Sequence, residues 1–200
     1  MEITTQMIKE LREITKAGVM DCRKALETSG GEMQKAVEFL RQKGLETAAK
    51  RADRQASNGI VELYSHGNGR VGVMVEVNCE TDFVARSEQF IKFAHELVLQ
   101  VAATSPKYIR EDDIPAEVLE TEMENAKASA REEGKSDAIL EKIVQGRVDK
   151  FKDEVVLMRQ AYIRDDKMTV GNLLLEQVAS IGENIVIRRF VRWELGEVSG

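Results

Sequence analysis

The chain is poor in the residues that staple a fold or carry metal and nucleophile chemistry. It has two cysteines, two histidines and two prolines in 200 residues. Cys22 and Cys79 are too few for a disulfide framework, and a cytoplasmic chain would keep them reduced. With His66 and His95 they form no pair at a ligand spacing such as C-x-x-C, so no metal site is expected. A Cys79–His95 nucleophile pair has no better support. An excess of cations is missing too. The 29 Lys and Arg stand against 35 Asp and Glu, a net charge of −6, which argues against a general nucleic-acid binder and for a protein partner. No apolar run approaches the ~20 residues that span a bilayer. Met1-Glu2-Ile3-Thr4 has no basic stretch leading into an apolar one, so no signal peptide is expected and the chain is placed in the cytoplasm. There is no G-x-x-x-x-G-K followed by Ser or Thr to hold phosphates, and no Ser/His/Asp set. The expected function is binding rather than catalysis, with no cofactor.

What the chain does have is clean periodicity. Residues 1 to about 44 read as three short helices. Ile8, Leu11 and Ile14 line the first, capped by Thr4 or Thr5; Val19, Cys22, Ala25 and Leu26 line the second; Met33, Ala36, Val37 and Leu40 line the third. Residues 45–57 form a connector rich in Ala, Lys and Arg. Residues 59–78 read as a β-hairpin turning at Asn68-Gly69, with Val71, Val73, Val75 and Val77 on one face of its second strand. A helix striped by Phe90, Phe93, Ala94, Leu97, Val98, Val101 and Ala102 follows and stops at Ser105-Pro106. Residues 115–133 and 136–156 read as the arms of an antiparallel helical hairpin joined at Gly134-Lys135. Its seam runs through Val118, Leu119, Met123 and Ala126 on one arm and Ile139, Ile143, Gly146 and Phe151 on the other. A helix at 169–180 and a β-branched strand at 185–193 close the chain. The fold class expected is α+β: an N-terminal three-helix module with its connector over residues 1–55, then a core over 56–200. In that core antiparallel strands pack with helices, and the helical hairpin protrudes at about 115–156.

The stretch Glu76-Val77-Asn78-Cys79-Glu80-Thr81-Asp82-Phe83-Val84-Ala85-Arg86 is the junction between strand and helix. Thr81 or Asp82 can cap the turn that opens there. Phe83 lies seven residues before Phe90, so on a continuous helix it joins the apolar stripe and faces the core. Glu76, Glu80 and Asp82 are the acids an enzyme would have to use here.

All eleven residues of this stretch fit the second signature segment of the elongation factor Ts family. Leu11-Arg12-Glu13-Ile14-Thr15-Lys16-Ala17-Gly18-Val19-Met20-Asp21-Cys22-Arg23-Lys24-Ala25-Leu26 is similar to that family's first signature. It departs at Lys16, where a small or polar residue is usual, and at Arg23, where lysine is usual. Ile143-Val144-Gln145-Gly146-Arg147 and Ile181 to Arg189 resemble further runs, so the resemblance reaches from Ile3 to Glu197. It implies a ubiquitin-associated-like (UBA-like) N-terminal module. It also implies a guanine nucleotide exchange factor that binds elongation factor Tu in its GDP form, helps dislodge Mg2+ and promotes GDP release so that GTP can bind. On that reading Thr81, Asp82, Phe83 and Val84 act on the partner, with Phe83 turned outward, and Met20, Asp21 and Arg23 add contacts from the module. Long family members carry two sheet-bearing subdomains and this chain has strands for one, so a homodimer and a 2:2 complex are expected. A scaffold using the three-helix module for ubiquitin-like partners is the rival binding function.

Overall fold

In the computed structural model, which describes residues 3–15, 17–133 and 137–197, the N-terminal stripes fold as α1 (Thr5–Thr15), α2 (Val19–Thr28) and α3 (Met33–Ala49). Thr4 starts α1, its hydroxyl oxygen accepting from the Met7 N–H at 3.3 Å. Between α2 and α3 the chain reverses through Gly30 and Gly31 at φ 61° and 85°, a region that costs a residue without Cβ little. Leu11, Cys22, Ala25, Leu26, Ala36 and Leu40 make a small core, with Ile8, Met33 and Val37 packed around it. Ile14 and Val19, expected inside, are exposed. They sit in the last turn of α1 and the first of α2, where the core is met instead by Ala17, between the two helices. Lys16, the family departure, lies outside the described residues.

The chain continues as β1 (Asn58–His66), β2 (Val71–Cys79), α4 (Asp82–Ala85), α5 (Glu88–Thr104), α6 (Ala116–Glu132), α7 (Asp137–Val155), β3 (Ala161–Tyr162), β4 (Asp165–Thr169), α8 (Val170–Ile181) and β5 (Ile185–Glu194). Two compact units result. The first takes the chain up to Ile60 together with Asn78–Phe93 and Leu174–Val186; the second takes Val61–Val77, Ala94–Leu173 and the chain from Ile187 onward. In the first unit α3 approaches α8 closely. A Cβ on Gly44 would come within 3.1 Å of the Ala179 Cβ, and Arg51 Nη1 donates to the Val178 carbonyl at 3.2 Å.

Most of the three-stranded sheet belongs to the second unit, in the order β1-β2-β5. The connection 67–70 is too short for a crossover, so β1 and β2 run antiparallel. The expected alternation holds in the central strand. Val71, Val73, Val75 and Val77 are buried, whereas Met74 is exposed. His95 Nδ1 lies 2.9 Å from Glu62 Oε1 and Arg192 Nε donates to the Ala102 carbonyl at 3.4 Å, which lays the second half of α5 against the sheet.

The helical hairpin α6–α7 is present, but its seam differs from the expectation. Ala126, Ala130, Leu140, Val144 and Val148 are buried in it, with the expected Leu119 and Ile143 packed against them, while Ile139 is exposed. The apolar residues of α7 come in adjacent pairs, Ile139-Leu140 and Ile143-Val144, and either member of each pair satisfies the same helical spacing. The Gly134-Lys135 junction and Ser136 lie outside the described residues. The ribbon β3–β4 was not expected, because Asp165-Asp166-Lys167 shows no apolar alternation. It is held instead by the buried Gln100, which donates to the Ala161 carbonyl at 3.0 Å and accepts from the Ile163 N–H at 2.9 Å. No helix among the described residues is long and apolar enough to cross a membrane.

Candidate functional site

Thr81 is the residue that converts strand into helix. It holds extended backbone at φ −124° and ψ 157°, and its hydroxyl oxygen accepts from the Val84 N–H at 3.3 Å. Of the two possible caps it is Thr81, not Asp82, that acts. The helix it opens is a single turn. At Ser87 the chain restarts: the hydroxyl donates to the Val84 carbonyl at 2.8 Å and accepts from the Phe90 N–H at 3.3 Å, capping α5. This break decides the orientation of Phe83. With α4 and α5 separate, the seven-residue spacing to Phe90 no longer places the two rings on one face. Phe90 is fully buried and Phe83 is 83% exposed.

Asp82, the residue before Phe83, pairs with Arg86 one turn on, Oδ2 to Nη2 at 3.0 Å. Both side chains are largely solvated, so the pair holds Asp82 only weakly. Behind the turn the contacts are denser. The Glu183 carboxylate accepts from the backbone N–H groups of Glu80 and Thr81 at 3.1 and 3.0 Å and from the Thr81 hydroxyl at 2.7 Å. Glu80 returns the contact, its Oε1 accepting from the Asn184 N–H at 2.7 Å. Buried Asn184 donates its side-chain amide to the carbonyls of Ala52 and Arg54, and the Asn58 amide donates to the Glu80 carbonyl. The Cys79 thiol donates to the Thr81 carbonyl at 3.2 Å; burial, together with the nearby Glu183 charge, pushes its pKa up to about 11, so it stays protonated and unreactive.

Thr81, Asp82, Phe83 and Val84 are thus gathered on one turn. Met20, Asp21 and Arg23 form a second group on α2, all exposed, with Asp21 paired to Lys43 and Arg23 to Glu27. The acids an enzyme would need are each engaged: Glu76 Oε2 with Arg189 at 2.7 Å, Glu80 with Asn184, Asp82 with Arg86. Cys79 and His95 have separate partners, the Thr81 carbonyl and Glu62. Among the described residues no group of three His, Cys, Asp or Glu could hold a metal ion. Glu183 and Asn184 went unrecognised as site residues. The family-like run from Ile181 marked the turn but gave no reason to join it to a segment a hundred residues earlier.

A family model described as "Elongation factor TS" matches residues 2–197. The chain belongs to the elongation factor Ts family. It is 56% identical to the elongation factor Ts of Carboxydothermus hydrogenoformans, over 98% of this chain and 90% of that protein. It is 54% identical to that of Caldanaerobacter subterraneus subsp. tengcongensis, over 98% of both. The Anaeromyxobacter dehalogenans (strain 2CP-1) factor is also 54% identical, over 98% of this chain and 90% of its own length. Membership makes this a translation elongation factor.

Proposed function

We propose that the chain is the guanine nucleotide exchange factor of elongation factor Tu, working in the cytoplasm by binding rather than by chemistry. The observation that carries this is Phe83, a large apolar ring left in solvent on a turn that is tied from behind. An exchange factor binds the nucleotide-free GTPase more tightly than the GDP form, and by linkage GDP then binds the complex more weakly by the same factor. Burying the Phe83 ring in a groove of the partner supplies ~1.5–3 kcal/mol of such differential binding. Asp82, released from its weak pair with Arg86, helps disturb the arrangement around Mg2+, and Thr81 and Val84 frame the wedge. Met20, Asp21 and Arg23 anchor the module on the GTPase. The direct test is release of fluorescent GDP from elongation factor Tu. Adding the chain should accelerate it, and release at the unassisted rate contradicts the proposal.

Residues 1–55 are proposed as a separable anchoring module and 56–200 as the working core. Deleting 1–55 should leave a folded core that binds elongation factor Tu more weakly. The cut removes the Ala52 and Arg54 carbonyls that accept from buried Asn184, and with them the approach of Gly44 and Arg51 to Ala179 and Val178, so the core should lose at least ~1–3 kcal/mol of stability. Circular dichroism on heating and titration against the GTPase check both. A core that unfolds, or that binds as tightly as the full chain, contradicts the division.

A homodimer, giving a 2:2 complex, is the third part of the reading. What supports it is the sheet face turned away from α5. Val61 and Leu63 of β1, Met74 of β2 and Trp193 of β5 are exposed there, and a Cβ on Gly72 would meet open space. The Glu76–Arg189 pair puts Arg189, and with it Trp193 four residues on, on the Met74 side of the sheet.

A further inference from the structure

We propose that Glu183 is a positioning residue, whose carboxylate holds residues 80–81 in the geometry that keeps the Phe83 ring outward; this rests on the reading of Phe83 as the group that engages the GTPase. Three donors converge on the one carboxylate: the N–H groups of Glu80 and Thr81 on Oε2, and the Thr81 hydroxyl on Oε1. The same hydroxyl oxygen accepts from the Val84 N–H, so a continuous hydrogen-bonded path runs from Glu183 through Thr81 into the turn that carries Phe83. Hydrogen bonds in series polarise one another, and those to an ionised acceptor are the strong ones. Glu80 reciprocates toward the Asn184 N–H, so the two segments hold each other at adjacent positions, 80–81 and 183–184. In a complex already formed by the other contacts, a wedge held in shape is in place to act in every complex, whereas a loose one is in place in only a fraction of them, which lowers the maximal rate and not the half-saturation. Thr81 alone caps the helix; Glu183 orients the cap.

The test uses the full chain with Glu183→Ala and Glu183→Gln. Glutamine keeps an oxygen for the two N–H groups and can turn its amide toward the Thr81 hydroxyl oxygen. Glu183→Ala should lower the maximal rate of assisted GDP release about tenfold while the half-saturating factor concentration stays within about twofold, because the remaining contacts still form the complex. Glu183→Gln should retain most of the rate. A purely structural role would do the opposite, since a smaller folded fraction raises the half-saturating concentration and leaves the maximal rate alone. Hydrogen exchange at the Glu80 and Thr81 amides should rise about tenfold in Glu183→Ala without a matching rise in the rest of the chain. In a Phe83→Ala background, Glu183→Ala should cost no further rate. Unchanged protection of those two amides, a loss confined to half-saturation, or additive losses in the double variant overturns the proposal. If Phe83→Ala itself exchanges at the wild-type rate, the reading of Phe83 fails, and the two amides still decide whether Glu183 holds the turn.

Discussion

Phe83→Ala is expected to leave the chain folded and to slow GDP release from elongation factor Tu by on the order of ten- to a hundredfold, the rate equivalent of losing ~1.5–3 kcal/mol of ring burial in the complex. The ring is 83% exposed in the free chain, so its removal should change stability by no more than ~0.5–1 kcal/mol. Phe90, seven residues on and fully buried, is the internal control: Phe90→Ala should cost ~3–5 kcal/mol through the cavity it leaves. Asp82→Ala should slow release less and leave the Thr81 cap intact, because the cap hydrogen bond does not involve Asp82. Thermal unfolding of each variant alone, paired with fluorescent GDP release, separates the two phenylalanines. A Phe83→Ala protein that melts far lower yet exchanges normally while folded would return the ring to the core and move the exchange mechanism to other residues.

The contrast between these two rings also marks how far the sequence could be read. Periodicity sufficed for β2 and α5, whose valines and whose stripe through Phe90, Phe93 and Leu97 are all buried, because one long element pressed on one side leaves a regular trace. It failed at Phe83, since the pattern assumes one continuous helix and a single serine hydroxyl interrupts it. The outward ring was legible only through the resemblance of the eleven-residue run. The seam of α7 is legible only in part for a related reason: paired apolar residues fit two faces equally well, and of the expected residues Ile143 packs against the seam while Ile139 is exposed. The grip of Glu183 on residues 80 and 81 was not legible at all, because a contact between turns a hundred residues apart has no period.

Leu63→Glu is expected to convert the chain from a dimer to a monomer. On the proposed reading, the exposed sheet faces of two copies pack across a twofold axis, about 10 Å apart as sheets do. The substitution then appears twice in one interface and sets two carboxylates in an apolar contact. Leu63 is 64% exposed and Trp193 68% exposed in the single chain, so the change should cost the isolated fold little. The dissociation constant should rise by on the order of a hundred- to a thousandfold, corresponding to ~2.7–4 kcal/mol across the two copies. Sedimentation at micromolar concentration should report twice the chain's 22.5 kDa for the wild type and a single chain for the variant. A wild type that sediments as one chain while exchanging at full rate sinks the dimer. Weakened exchange in a monomeric, folded Leu63→Glu protein would show that activity depends on the pair.

The first unit is assembled from three separate stretches of chain, and Glu183 meets Glu80 and Thr81 across separations of 103 and 102 residues. During synthesis, at ~5–20 residues per second, the signature run is therefore made roughly 5–20 s before the carboxylate that steadies it. Until then the Glu80 and Thr81 amides lack that acceptor, and the Phe83 turn rests on its local Thr81 and Ser87 caps alone. A nascent or truncated chain that stops short of residue 183 carries every residue of the run but lacks the carboxylate that holds residues 80 and 81. On the proposed reading of Phe83, the factor thus comes into working order late: the carboxylate that holds the turn arrives only with the last helix and strand, and incomplete chains, although they contain the ring, would compete poorly for the partner.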